Sequence, residues 1–178
     1  MSASALFLRA DRAEHRLCLI ANAASRRRAL RMLFCTVSRL GDGVIWYALM
    51  ASMPLWLGLA EGARAALHMV VVGAVGLALY KVLKRTLVRE RPFIGLIGIE
   101  CAMPPLDRYS FPSGHTLHAV AFTVLAVGYV PWLAVLLVPF ALLVAASRVV
   151  LGLHYPSDVS VGAMLGASLA SASSALVG

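Results

Sequence analysis

Acidic residues are scarce in this chain: eight Asp and Glu stand against sixteen Lys and Arg, and charged residues make up only 13% of its 178 positions. An ordinary soluble domain carries about twice that charged fraction, so a water-facing exterior of the usual kind is excluded. Cysteine is scarce as well. Cys18, Cys35 and Cys101 have neither metal-ligand spacing nor the even count of a disulfide framework, and are expected to be free thiols. Also missing is a leader with a basic start, an unbroken apolar run and a small-residue cleavage site, because arginines and acids interrupt everything before Gly41; the N-terminus is expected to be retained.

What is present is apolar, 61% of residues. Segments 44–60, 65–83, 116–129, 132–146 and 159–177 are long enough to cross, or nearly cross, hydrocarbon. They predict an all-α integral membrane protein: a compact bundle of about five transmembrane helices in residues 43–178, behind a basic amphipathic N-terminal region, 1–42. The third and fourth segments are short and joined at Gly128-Tyr129-Val130-Pro131. Pro54 and Pro139 are candidate kinks, which neighbouring helices can tolerate. Gly162 and Gly166, among Ala163, Ala167, Ser168, Ala170 and Ser171, give the last segment a small-residue face suited to close helix contact within the bundle or in a homodimer.

Charge sets an orientation. Eight arginines precede the first span, six basic residues lie at the end of the second span or in the loop after it, and Arg148 falls between the fourth and fifth; only Arg64 lies on the opposite side. Positive-inside then places the N-terminus and the loop 84–111 in the cytoplasm of a bacterial-type inner (cell) membrane, which the protein crosses several times. An extra span within the first forty residues would invert this, but 29–40 is too short and carries Arg31 and Arg39. The arginines of 5–40, interleaved with Leu17, Ile20, Met32 and Leu33, suit one or two interfacial helices broken near 22–25 and lying among anionic headgroups. A cytosolic helix packed on the loops, or a basic arm, fits the same pattern. A membrane surface already answers these charges, so no nucleic-acid partner is expected.

Polar residues collect at the ends of the apolar runs: Lys84-x6-Arg91-Pro92, then Pro112-Ser113-Gly114-His115, then Ser147-Arg148-x5-His154-x3-Asp158. Such groups are costly near a bilayer and mark a functional site by default. Lys84 and Arg91 are two helical turns apart, and would face one way if the second span ran on to Pro92. An ammonium beside a planar guanidinium fork suits a phosphoryl group. Headgroup snorkelling would explain Arg85 and Arg89, and by itself Lys84 too. Ser113 has N-cap character, Gly114 admits an anion close to the backbone, and His115 opens the third span, although Ser-Gly-His alone is commonly just a cap. Arg148 needs an anion where it stands. Asp158, one helical turn from His154, can take the proton of one ring nitrogen and leave the other free to attack phosphorus; a helix cap with a charged partner is the plainer alternative.

These three ordered blocks resemble the signature of the type-2 phosphatidic acid phosphatase superfamily, which includes lipid phosphate phosphatases, vanadium haloperoxidases and soluble acid phosphatases. The resemblance covers about 84–158 by motif and most of the chain after Gly41 by helical pattern. It implies that His154 forms a phosphohistidine, that Asp158 orients it, that His115 serves as acid and then base, and that Lys84, Arg91, Ser113, Gly114 and Arg148 bind phosphate. No metal and no cofactor are implied. The membrane branch often has six spans; five would change the parity, so sidedness is taken from charge.

The expected activity is therefore hydrolysis of a phosphate or diphosphate on a lipid or isoprenoid. Phosphotransfer to a second acceptor through the same phosphohistidine is an alternative, as is a non-catalytic anionic-lipid binding or transport protein. The loop 93–111 is expected to form a lid or rim, with no assigned work for Glu100, Asp107 or Arg108. Glu90 could hold Arg91 by an ion pair. His68 is expected to be a packed helix contact, and His15 and His118 receive no catalytic role.

Overall fold

The structure, a computed structural model, describes the backbone of residues 3–177 and the side chains of residues 12–177. Arg9, counted in the charge tally, lies outside the described side chains. Regular structure among the described residues is helical: α1 (Ala3–Ala23), α2 (Arg28–Arg39), α3 (Ile45–Leu57), α4 (Leu59–Thr86), α5 (Pro92–Gly95), α6 (Gly114–Tyr129), α7 (Ala134–Val150) and α8 (Pro156–Val177). A short 3-10 turn, Ala24–Arg26, separates α1 from α2 near the expected break. Five of these helices, α3, α4, α6, α7 and α8, fall on the five expected spans.

Among the described residues, three helical stretches are both long and apolar enough to cross a membrane by themselves: Leu59–Thr86, Pro131–Val150 and Pro156–Val177. The other two are short for different reasons. The 13-residue α3 continues α2 across a kink at Leu40–Val44, so the rod is longer than the helix. The 16-residue α6 is the centre of the bundle, packed by α4, α7 and α8. Its Leu117, Ala119, Ala121, Leu125 and Ala126 are buried, and it has little lipid-facing surface to supply. Outward, Leu67, Val71, Val135, Leu142 and Met164 are exposed on α4, α7 and α8, where a bilayer would be their solvent.

Lipid removes the hydrophobic drive between helices, so close packing must hold them together. The small residues of α8 provide it. A Cβ on Gly162 would lie 2.6 Å from the Ser113 carbonyl oxygen, and one on Gly166 would lie 2.3 Å from that of Leu117. α8 therefore rests directly on the backbone of α6 at the end where Ser113 caps it. Trp46 of α3 fills the gap on the other flank, with its ring 5.6 Å from Phe122 and 5.6 Å from Phe140. At the opposite end of the bundle Trp56 and Trp132 meet edge to face.

α1 and α2 lie across the end that holds the polar motifs. Buried Asn22 donates to the carbonyls of Glu100 and Val150 at 3.0 and 3.0 Å and accepts from the Glu100 N–H at 2.8 Å. Their outer faces leave Leu17, Ile20, Met32 and Leu33 exposed. The three cysteines are free.

Candidate active site

Arg91 does not continue α4. That helix ends at Thr86, and Arg91 is extended (φ −80°, ψ 153°) as the residue before Pro92, whose ring disfavours helical geometry there. Pro92 begins the short α5 rather than ending α4. Lys84 and Arg91 nonetheless converge, through a third residue. Lys84 Nζ donates to both carboxylate oxygens of Asp107 at 2.6 and 2.7 Å, and Arg91 Nη2 donates to Oδ1 at 2.6 Å. The carboxylate partner of Arg91 is thus Asp107, not the adjacent Glu90. Both cations are buried.

Ser113 caps α6 as expected: its Oγ accepts from the Thr116 N–H and sits 2.9 Å from Thr116 Oγ1. Gly114 follows, against the Tyr80 ring. His115, in the first turn, directs Nε2 to Asp42 Oδ1 at 3.3 Å. The positive end of α6, at Gly114 and His115, lines the same space as the cations.

Arg148, in the last turn of α7, is 2% exposed. One Nη donates to Ser38 Oγ while its Nε has no partner. The chain then turns so that His154 N donates to the Arg148 carbonyl, which places the nucleophile candidate beside the guanidinium. His154 Nε2 lies 3.3 Å from Arg91 Nη1. His154 Nδ1 makes no hydrogen bond, and the carboxylate expected to hold it, Asp158, has its Oδ2 3.7 Å away. The pair is adjacent, but wider than a hydrogen bond. Asp158 is held instead by the Tyr155 N–H at 2.8 Å and by Arg89 Nη1 at 2.8 Å.

One cavity of about 360 Å³ is lined by Lys84, Gly114, His115, Arg91, Arg148 and His154, and runs past Trp46, Met50, Val70 and Leu77 between α3 and α4. All three motif blocks thus reach the same place. Ser113 and Asp158 stand just behind the wall, fixed to each other by Ser113 N–H donating to the Asp158 carbonyl at 3.1 Å.

A sequence model of the PAP2 superfamily matches residues 65–178, the segment that carries all three motif blocks. The chain belongs to the PAP2 superfamily. Over 139 residues it is 35% identical to the decaprenylphosphoryl-5-phosphoribose phosphatase of Mycobacterium tuberculosis, covering 75% of this chain and 72% of that protein. Among solved structures it is similar to Aquifex aeolicus LpxE, with TM-score 0.77, 24% identity and coverage of 89% and 92% of the two chains. It is also similar to a transmembrane PAP2-type phosphatidylglycerolphosphate phosphatase from Bacillus subtilis, with TM-score 0.73, 25% identity and coverage of 94% and 85%. This PAP2 protein is accordingly a membrane phosphatase, a hydrolase of a family that works through phosphohistidine.

Four residues of this PAP2 site escaped the sequence reading. Asp107 bridges Lys84 and Arg91, and Asp42 faces His115. Arg89 is no snorkelling arginine: it donates to Asp158, to Ser157 Oγ at 2.7 Å and to Glu14 Oε2 at 2.7 Å, and stacks 3.8 Å over the Tyr155 ring. Glu14, on α1, also accepts from the Ser157 N–H at 2.8 Å. The available signal was the rarity of acids: each carboxylate in so apolar a chain needs a reason, and Asp42 sits between two glycines.

The loop groups are electrostatically set. Burial first, then Arg148, Arg91 and Lys84, push the His154 imidazole well below its usual 6.5, so the ring is neutral and its lone pair is available. Burial raises Asp107, but the Lys84 ammonium and then Arg91 override it and hold the carboxyl below the ordinary range. Glu14 behaves likewise: burial raises it, and Ser157 and Arg89 more than compensate.

Proposed function

We propose that this protein removes phosphate from a lipid or isoprenoid phosphomonoester or diphosphate, with His154 as the residue that becomes phosphorylated. The observation that carries this is a single cavity in which a neutral imidazole meets three cations and opens onto an apolar groove. The groove would take the prenyl or acyl tail, and the polar end would take the phosphoryl group.

Lys84, Arg91 and Arg148 grip the phosphoryl oxygens, with the α6 N-terminus at Gly114 completing the cradle and Ser113 holding that terminus in place from behind. His154 Nε2 attacks phosphorus while the P–O bond to the substrate breaks, and the leaving oxygen takes a proton from His115. Asp158 closes on Nδ1 and stabilises the charge on the ring. Water, deprotonated by His115, then displaces the phosphoryl group and releases inorganic phosphate and neutral His154. The relatives act on quite different headgroups, one of them a decaprenyl-linked phosphoribose and another a phosphatidylglycerolphosphate. A lipid-anchored phosphate is what these have in common.

The excess of arginines on the motif side supports a site at the cytoplasmic face of the inner membrane, with α1 and α2 lying at the headgroup level. The test is phosphate release from a panel of lipid phosphates and diphosphates in detergent. Wild type should turn over at least one substrate, and His154→Ala should lose at least about 1,000-fold, with no acid-labile phosphoenzyme. Equal turnover by His154→Ala would overturn the reading. An added alcohol acceptor that became phosphorylated in preference to water would make the protein a phosphotransferase.

A further inference from the structure

The kink between α2 and α3 has a local cause. Residues 28–57 would otherwise form one rod, yet at Leu40–Val44 the backbone leaves helical geometry at Asp42 (φ −84°, ψ 21°) and Gly43 (φ 130°). The left-handed φ of Gly43 is open to glycine and strained for other residues. Gly41 is pressed onto α7, where a Cβ would come within 2.7 Å of the Val144 side chain, and its freed carbonyl accepts from Trp46 Nε1 at 2.9 Å. Gly-Asp-Gly therefore breaks a helix at the one point where the break turns a carboxylate into the catalytic cavity.

That carboxylate has a different situation from its neighbours. Asp107 is taken up by Lys84 and Arg91, and Asp158 by Arg89 and the Tyr155 N–H. The ion-pair partner of Asp42 is His115, and the Arg148 guanidinium also acts on this carboxylate through space. A general acid must carry a proton before it can give one, and here the imidazolium would form among Lys84, Arg91 and Arg148, all of which repel it. A site built to hold a phosphoryl group is for that reason a poor place to hold a charged histidine. Some anion has to offset the cations on the far side of the ring.

We infer that Asp42 is a positioning residue for the general acid, holding His115 in its protonated form and in register with the leaving oxygen. This rests on the phosphohistidine reading given above. In the step, the P–O bond breaks, the His154 N–P bond forms, and one imidazolium N–H proton moves from His115 to the leaving oxygen. His115 ends neutral and Asp42 remains a carboxylate throughout. In the second half-reaction His115 takes a proton from water, and Asp42 again stabilises the resulting cation.

The distinguishing experiment varies the leaving group. An alkyl phosphate expels a poor alkoxide and needs the proton, whereas p-nitrophenyl phosphate expels a stable phenolate and does not. Asp42→Asn should reduce kcat/KM for a lipid alkyl phosphate by about 100-fold, and for p-nitrophenyl phosphate by less than about threefold. Asp42→Glu should recover alkyl-ester turnover to within about tenfold of wild type, and inhibition by inorganic phosphate should stay within about threefold in both variants, reporting an intact fold and cation site. His115→Asn should show the same split, more strongly. If it does and Asp42→Asn loses equally on both esters, or loses on neither, this inference falls alone. If His115→Asn lacks the split, the acid assignment of His115 falls and takes the role of Asp42 with it.

Discussion

Each end of this helix bundle has a polar cluster with a histidine, an arginine and a cavity, yet the two are finished differently. At the far end His68 is bonded through both ring nitrogens, to Tyr129 Oη at 2.9 Å and Ser173 Oγ at 3.0 Å, and Arg64 is paired with Glu61. The cavity there is about 430 Å³, no smaller than the one at the motif end. At the motif end His154 Nδ1 and Arg148 Nε are buried and make no hydrogen bond. Leaving such groups unpaired costs roughly 1–3 kcal/mol each, more when charged, and a fold keeps them only when something else meets the need. Thr123 Oγ1, in the middle of α6, is also buried without a hydrogen bond, so it is unmet capacity on ionisable groups, rather than cavity size, that separates a site for a ligand from a structural joint.

The sharpest way to break that contrast is to remove an unpaired group. Arg148→Met should lower kcat/KM by about 100- to 1,000-fold, because its guanidinium has the spare donors aimed at the charge that grows on phosphorus. Arg148→Lys should recover little, since an ammonium cannot span two oxygens as the fork does. Steady-state kinetics on a lipid phosphate would check both. Activity within fivefold of wild type in Arg148→Met would mean that the motif end is no more a ligand site than the far end.

Arg89 supplies the next step down. It touches neither the cavity nor the nucleophile, but it positions Asp158 from one side while Glu14 of α1 holds it from the other. Arg89→Met should cost about tenfold in kcat with KM within twofold, as is typical of residues that orient a reacting group from behind. Arg89→Lys should recover part of it through the retained charge. An unchanged kcat would show that Asp158 is held well enough by the Tyr155 N–H alone.

How much of this could be read beforehand follows from chain distance. The helices, their small-residue packing face and the Ser113 cap are local patterns, and the three motif blocks are each written within twelve consecutive residues or fewer. Arg89 with Glu14, Asp107 with Lys84 and Asp42 with His115 are pairings across 75, 23 and 73 positions, and no periodicity links their members. Arg91 is the instructive miss. Two turns of spacing from Lys84 predicted a shared helix face, while Pro92, equally visible, forbids Arg91 the helical conformation; the convergence was correct and its route was not.

Asp107 divides the cost of holding cations in advance of a ligand. With its carboxyl held below the unfolded value near 3.8, its ion pairs stabilise the fold fully above that value, and the contribution disappears as pH falls through the lower, folded value. Asp107→Asn should therefore melt below wild type at pH 7 by an amount on the order of 1 kcal/mol, discounted because the side chain is 35% exposed. The gap should persist down to about pH 4 and close only in more acidic detergent solution. A gap that closed between pH 7 and 5 would assign the effect to another group.

His68 should give the smallest effect on turnover. It joins α4 to α6 and α8 by two neutral hydrogen bonds, and such bonds between membrane helices contribute about 0.6 kcal/mol on average, since the separated helices find other partners. His68→Phe keeps the ring volume and strands Tyr129 Oη, while Ser173 Oγ retains its bond to the Ala170 carbonyl at 2.8 Å. The expected result is a fall in thermal stability of about 1 kcal/mol and lipid phosphate turnover within twofold of wild type. The opposite pattern, unchanged melting with a tenfold loss of turnover, would show that the far cluster communicates with the chemistry, and full bonding could no longer be used to tell a joint from a site.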